Sequence, residues 1–418
     1  MSNQKVDYFI TKPMEIVSLA CLGTIGNLAA FALPVIVGGL VDHMALDTRA
    51  AGYLGTMEMI GLGLGAMLFS GVILKMSWRQ FALIAVFLVA AANIATPYAF
   101  DTISLYAARL VSGLGGGMLL ALGAAGLSST RSPERVIGSV AIASMLFAGV
   151  VLYAFPLLLK QWGLTTMFFT IAGLNIFLSL LVFKLPRKSP YVAAMESKQA
   201  VDEKAANEAA QKPVKPVRPP LLLSISTLSG IFLFFTGAMA FWVYIERVGV
   251  ASSFATEQIA TVLGLSQVFG ALGALLAVLI ATKLGNRLAP MAFCIVLAVI
   301  CALLVTLEPS VLVYGIAACG FILAWDFLYP YLMGVSIALD PSAKLVSYSL
   351  ALQTIGKSLG PTLAALLIIG TDFSGAYWMC FGLFAASLVC LLPAILHTDK
   401  RLKAPNPESQ GQDVLATS

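Results

Sequence analysis

Glu58, Arg109, Asp326 and Lys357 are ionisable residues set deep inside otherwise apolar stretches of the chain. A charge near a bilayer centre costs about 2.5–3.5 kcal/mol even on the lenient insertion scale. Two acids and two bases kept there point to use, and the chemistry they offer is charge handling. Glu58 or Asp326 can take up and release a proton; Arg109 stays charged and can only tune a neighbouring carboxylate. Lys357 can neutralise a solute carboxylate or change its own protonation. Plainer roles stand beside these. Glu58 can be a structural acid paired permanently with Arg109, Arg109 can tie its helix to carbonyls of the first helix, and Asp326 with Lys357 can form a fixed brace.

The neighbours favour a solute site around the second couple. Trp325, Tyr329 and Tyr331 flank Asp326, and Pro330 interrupts the helical hydrogen bonding beside them. Ser349, Gln353 and Lys357 recur every four residues, a polar stripe on one helix face. Such a stripe suits a cavity, not lipid. Asn27 and Gln267 are further polar residues in apolar runs, where bonding between helices is the default and cavity lining the alternative. Tyr153 is a lesser candidate. Trp242 and Tyr244 approach a span end and read as part of an aromatic belt, while Asn93 and Asn175 read as packing contacts. The glycines of GLGLGA (61–66), GLGGG (113–117) and GALGA (270–274) read as close-packing faces.

Enzyme chemistry is excluded by what these residues lack. No nucleophile–base arrangement is present, the six cysteines lie in apolar stretches without metal spacing, and His43 and His397 are far apart. No GxxxxGK[ST] phosphate loop occurs, so ATP does not drive this chain. No metal or cofactor is expected, nor a nucleic-acid partner.

The elements that must hold the charges are membrane helices. The chain has 418 residues, 59% hydrophobic and 11% charged, with a mean hydropathy of +0.93. A water-soluble domain of that composition would have nothing to place at its surface. Apolar runs of about 20 residues give twelve expected spans: 14–41, 50–74, 80–99, 103–127, 135–158, 165–185, 221–245, 258–281, 289–307, 310–338, 345–370 and 374–396. The first run is too long for a signal-peptide core and reads as an uncleaved first span. Between the halves lies a polar segment, 186–219, rich in Ala, Glu and Lys and ending in KPVKPVRPP. The expected organisation is a six-helix domain (1–185), a cytoplasmic linker (186–219), a second six-helix domain (220–398) and a cytoplasmic tail (399–418). Of the 25 Lys and Arg, only Arg49, Lys160 and Arg247 fall on the outer side, and Arg109 and Lys357 within spans. The rest sit on the side of both termini, which places termini and linker in the cytoplasm. Most of the +5 net charge therefore reports topology.

The halves echo each other. An offset of 208 residues carries Lys75 onto Lys283 and Arg79 onto Arg287, in LKMSWRQ and TKLGNRL. Repeats of this kind are common in secondary transporters, with the site at the midplane between them.

With twelve spans split six and six around a basic linker, the whole chain resembles the major facilitator superfamily (MFS). ATKLGNR (281–287) is similar to the family's short-loop motif: Lys283, Gly285 and Arg287 match its basic and glycine positions, while Thr282 replaces its acid. In the first-half copy Lys75 and Trp78 replace the Asp and Gly. Arg109 with Gly113, Gly115 and Gly117 resembles the R-x-x-x-G-x-G signature, whose Arg is linked to coupling in proton-driven members. Gly356-x-x-x-Gly360-Pro361 resembles part of the antiporter signature, although that signature belongs in span 5, which here lacks Gly-Pro. The resemblance implies an all-α membrane fold of two pseudo-symmetric six-helix domains, with spans 3, 6, 9 and 12 facing lipid. The four charges fall on spans 2, 4, 10 and 11, which surround the cavity in such a fold.

The expected activity is secondary active transport of a small organic solute by alternating access, in a bacterial-type inner membrane and as a monomer. Glu58 or Asp326 is the expected proton carrier and Arg109 its tuner. Lys357, Gln353, Trp325, Tyr329, Asn27 and Gln267 are the expected solute contacts. A buried lysine and arginine favour uptake of an organic or aromatic carboxylate by proton symport. Proton-driven efflux of amphiphilic drugs or metabolites is the alternative, and a transporter-like sensor without flux a distant one.

Overall fold

The computed structural model describes residues 10, 12–44, 46–69, 72, 76–185, 220–281, 287–307, 310–340 and 344–403, excepting the side chains of Thr48, Glu134, Ala281 and 401–403. The linker, the tail beyond 403, and Lys75, Lys283 and Gly285 lie outside the described residues. Regular structure within them is helical: α1 (Pro13–Gly26), α2 (Leu28–Met44), α3 (Thr48–Leu68), α4 (Trp78–Ala95), α5 (Thr102–Ser128), α6 (Pro133–Ser179), α7 (Leu221–Ala251), α8 (Thr256–Ala281), α9 (Leu288–Thr306), α10 (Val311–Leu339), α11 (Lys344–Leu367) and α12 (Ser374–Lys403).

These twelve helices are the twelve spans, differently divided. The first span is α1 and α2, parted at Asn27, whose N–H reaches both Gly23 O and Thr24 O. Pro34, inside α2, removes a further helical donor. The fifth and sixth spans are both in α6. Its 47 residues would reach about 70 Å if straight, more than twice a bilayer core. Gly163 breaks it at φ 79°, a conformation glycine adopts without the cost of a Cβ. Nine described segments are long and apolar enough to cross a membrane, Arg135–Lys184 counting once for its two spans. The two left out are α3 and α11, which carry Glu58 and the Gln353–Lys357 stripe. The α3 helix stops at Leu68 rather than 74, α7 continues to Ala251 rather than 245, and α12 continues to Lys403 rather than 396.

Close backbone contact builds the first half. A Cβ on Gly113 or Gly117 of α5 would strike the Glu58 and Leu62 carbonyls of α3; one on Gly61 or Gly65 would strike those of Leu110 and Leu114. Gly115 meets the Ala85 carbonyl of α4, and Gly116 the Gly26 carbonyl of α1. Without a hydrophobic force between helices in lipid, such dispersion contact is what holds them together. In the second half, Gly356 and Gly360 of α11 lie against the Phe232 and Thr236 carbonyls of α7. A ring cluster of Phe234, Phe241, Phe321, Tyr377 and Phe384 joins α7, α10 and α12.

The halves meet through α2 with α7, α3 with α11, and α6 with α8. Trp242 and Tyr244 belong to the buried core, not to an aromatic belt: they are 4% and 0% exposed. Tyr244 lies at the α3–α11 contact, its hydroxyl against Gly52 and donating to Pro361 O at 3.4 Å.

Candidate functional site

The glycine seam between α3 and α5 creates the first charge pair. Glu58 and Arg109 each lie one turn before a seam glycine, Gly61 and Gly113. Backbones that touch there carry the two side chains onto one another. Arg109 Nη1 donates to Glu58 Oε2 at 3.1 Å, and both side chains are fully buried. Nη2 reaches α4, donating to Asn93 Oδ1 at 3.2 Å, Ala92 O at 3.4 Å and, just beyond the helix, Thr96 Oγ1 at 2.5 Å. The Phe168 ring of α6 lies 4.9 Å from the guanidinium carbon, within cation–π range. Of the two tethers left open for Arg109, the carboxylate is therefore the one formed, and the first-helix carbonyls are not used. Asn93 is an arginine partner as well as a packing contact. The pair is sealed inside the first half. It does not line the space between the halves, so the two acid–base couples do not face one cavity.

The second couple is arranged differently. Asp326 and Lys357 are close enough to feel each other's charge, yet no ion pair within 4.0 Å joins them. The Asp326 carboxylate lies against Gly270 of α8, where any side chain would displace it. Lys357 Nζ instead sits 5.0 Å from the Phe235 ring centroid and 5.8 Å from that of Trp325. No protein acceptor takes a hydrogen bond from it among the described residues. Gln353, one turn earlier, is beside the Tyr329 hydroxyl, and its buried Nε2 has no partner. Tyr329 is 37% exposed, Trp325 and Lys357 half-buried. Ser349, at the base of the stripe, bonds Ser336 of α10 at 2.9 Å. Lys357, Gln353, Trp325, Tyr329 and Asp326 are thus brought together. Asn27 is half-buried at the α1–α2 break, and Gln267, 4% exposed, packs against Gly149 across the halves. Tyr153, 49% exposed, lies beside Gly264 of α8.

Three closures between the halves lie at the end of the bundle opposite the termini. At α2–α7, Arg247 holds Asp42 with two bonds of 2.6 and 2.8 Å, and Glu246 with two of 2.6 and 2.9 Å. The Glu246 carboxylate also presses on Gly38 of α2. At α3–α11, the Thr56 and Thr362 hydroxyls meet at 2.7 Å and Arg49 reaches Ile368 O at 3.4 Å. At α6–α8, Gly149 and Gly264 bring backbones together, and Lys160 pairs with Glu257 at 2.7 Å. Sequence reasoning missed Asp42 and Glu246 and placed Arg247 only as an outer base. The usable signal was that all three fall at the last turns of the first span of each half.

Of the loop-motif residues, Arg287 lies within the described segments. Arg287 precedes α9, where its N–H and that of Leu288 donate to the Asp399 carboxylate at 2.9–3.0 Å. An acid absent from the loop motif is thus supplied by α12, where it meets the positive end of α9.

The sequence pattern of the Major Facilitator Superfamily matches residues 18–339. The chain belongs to that superfamily. It is accordingly a multi-pass membrane transporter with the MFS fold, not an enzyme. No curated protein matches it in sequence. Among solved structures, the MFS chain resembles one described as "D-xylose-proton symporter", at 15% identity and a TM-score of 0.67, covering 91% of this chain and 96% of that one. A second is the inward open conformation of the xylose transporter XylE from E. coli, at 14% identity and 0.67, covering 91% and 94%. At these identities the likeness is one of fold.

Proposed function

We propose that this MFS member is a proton symporter that takes up a small organic carboxylate by alternating access. The observation that carries the substrate class is two donors one helical turn apart: Gln353 Nε2, buried without a partner, and the partly exposed Lys357 ammonium, which donates to no protein acceptor among the described residues. A buried donor without an acceptor costs about 1–3 kcal/mol. A solute carboxylate would supply acceptors to both, with Trp325 and Tyr329 beside its apolar body. Asp326 is the proposed proton carrier, because it is near Lys357 but makes no ion pair with it; the sealed Glu58–Arg109 pair serves instead as a tie between α3 and α5 within the first half. Asn27 and Gln267 remain proposed solute contacts in the other conformation. The two domains, 1–185 and 220–398, rock about the site. With both termini cytoplasmic in a bacterial-type inner membrane, the three closures seal the outer side, and the conformation is open to the cytoplasm. A monomer suffices for this cycle.

A sugar is the second substrate class, favoured by the xylose named for both similar structures; its hydroxyls would also accept from Lys357 and Gln353. Uptake by proteoliposomes separates the two. Lys357→Ala is expected to abolish carboxylate uptake, and persistence of that uptake would overturn the assignment. Xylose uptake that survives Lys357→Ala would favour the sugar.

A further inference from the structure

We propose that Phe235 is a positioning residue of the solute site: its ring, with Trp325, is the resting seat of the Lys357 ammonium and keeps that lysine free for a solute carboxylate. This deepens the carboxylate assignment above and rests on it.

The seat is built. Phe235 is fully buried on α7. Its ring is fixed edge-to-face by Phe234 at 5.4 Å and 88°, and by Trp325 at 5.9 Å and 77°. Tyr329 closes a third side at 6.3 Å and 83°. Lys357 Nζ faces two of these rings at 5.0 and 5.8 Å. A ring face attracts a cation through its quadrupole and takes up none of its three hydrogen-bond donors. A carboxylate would take them up. The one nearby is Asp326, which acts on Lys357 by charge without an ion pair and is turned toward Gly270 of α8. The aromatic seat therefore competes with Asp326 for the ammonium. It holds the lysine weakly, so a solute carboxylate, bonding two donors at once, can displace the rings. Leucine at 235 keeps much of the volume but has no quadrupole. Lys357 would then fall onto Asp326, and the solute would have to break an ion pair to bind.

The test is binding of a monocarboxylate panel (acetate, lactate, pyruvate, benzoate) to the purified full chain by calorimetry, with a melting curve for each variant. Phe235→Leu is expected to weaken the tightest panel member on the order of tenfold, the cost of breaking the Lys357–Asp326 ion pair that forms once the ring seat is gone. Phe235→Leu combined with Asp326→Asn is expected to recover affinity, because the competing carboxylate is gone. Unchanged affinity in Phe235→Leu overturns the proposal, and so does a loss that Asp326→Asn fails to repair, since that loss would be packing alone. If Phe235→Leu does not fold, Trp325→Leu in the other, half-exposed wall takes the same two-step test. Binding that survives Lys357→Gln overturns the carboxylate assignment itself, as does a panel of which no member binds. Binding lost in Lys357→Gln but untouched by Phe235→Leu overturns only the role of Phe235.

Discussion

Replacing Arg247 by alanine should shift the protein away from the closed-end conformation, by an amount the clasp allows one to work out. Arg247 makes four contacts of 2.6–2.9 Å, two to Asp42 on α2 and two to its neighbour Glu246. Its side chain is 6% exposed, that of Glu246 10% and that of Asp42 46%. Removing one partner of a fully buried pair costs about 3–5 kcal/mol, whereas exposed pairs are worth about 0–1. Of the two arms of Arg247, only the one to Asp42 crosses between the halves, and it is half in water. Glu246 would remain buried against Gly38 without a partner. A loss of about 2 kcal/mol specific to this conformation follows, which is about a 30-fold change in the ratio of the two conformations. Asp42→Asn leaves Glu246 paired with Arg247 and should cost about 1 kcal/mol, roughly a fivefold change. Spin labels at Gln161 and Ala255, both exposed at this end on opposite halves, report the gap in a cysteine-free background. Arg247→Ala should add the largest longer-distance population, Asp42→Asn an intermediate one. Three superimposable distance distributions, or a larger shift in Asp42→Asn than in Arg247→Ala, would refute the reasoning.

Gly113→Ala should lower thermal stability by about 1–3 kcal/mol, as overpacking does, because the new methyl meets the Glu58 carbonyl; a melting temperature equal to that of the parent argues against the seam. Asn93→Leu removes an acceptor from the buried Arg109 and should cost about 1–3 kcal/mol, read by the same melt. Glu58→Gln and Asp326→Asn should separate in a proton-flux assay in liposomes. Asp326→Asn is expected to fold and to lose solute-driven proton entry, while Glu58→Gln mainly lowers stability, by about 3–5 kcal/mol, through the orphaned arginine. Full coupling retained in Asp326→Asn would sink its assignment as carrier.

The spans were legible because a bilayer leaves helices little freedom: hydropathy and breakers fix where the chain crosses. Even so, Asn27 splits one span and Gly163 makes the turn between two others within α6, features of local backbone that hydropathy does not weigh. The Glu58–Arg109 pair was visible as an energetic anomaly, and the glycine seam explains it. Its direction was not visible. Whether a buried charge faces a neighbouring helix or an open space depends on helix rotation, and one sequence does not encode that periodicity when every face is apolar. Phe235 was hidden for the same reason, as one phenylalanine among 24 whose role comes from the lysine above it. Asp42 and Glu246 were overlooked because an acid at a span end is ordinary. Only the fold brings α2 and α7 together.

The seam of α3 on α5 also divides the molecule by the kind of variation it can absorb. At Gly61, Gly65, Gly113 and Gly117 there is no volume for even one added carbon without moving a backbone, so drift in the first half is confined to its outer faces. Around Lys357 the walls are side chains on three separate helices, and each can change size independently. Laboratory selection for new solutes should therefore enrich substitutions in α7, α10 and α11 and leave the α3–α5 seam intact. Substrate range would then broaden while the buried ion pair passes unchanged from one variant to the next.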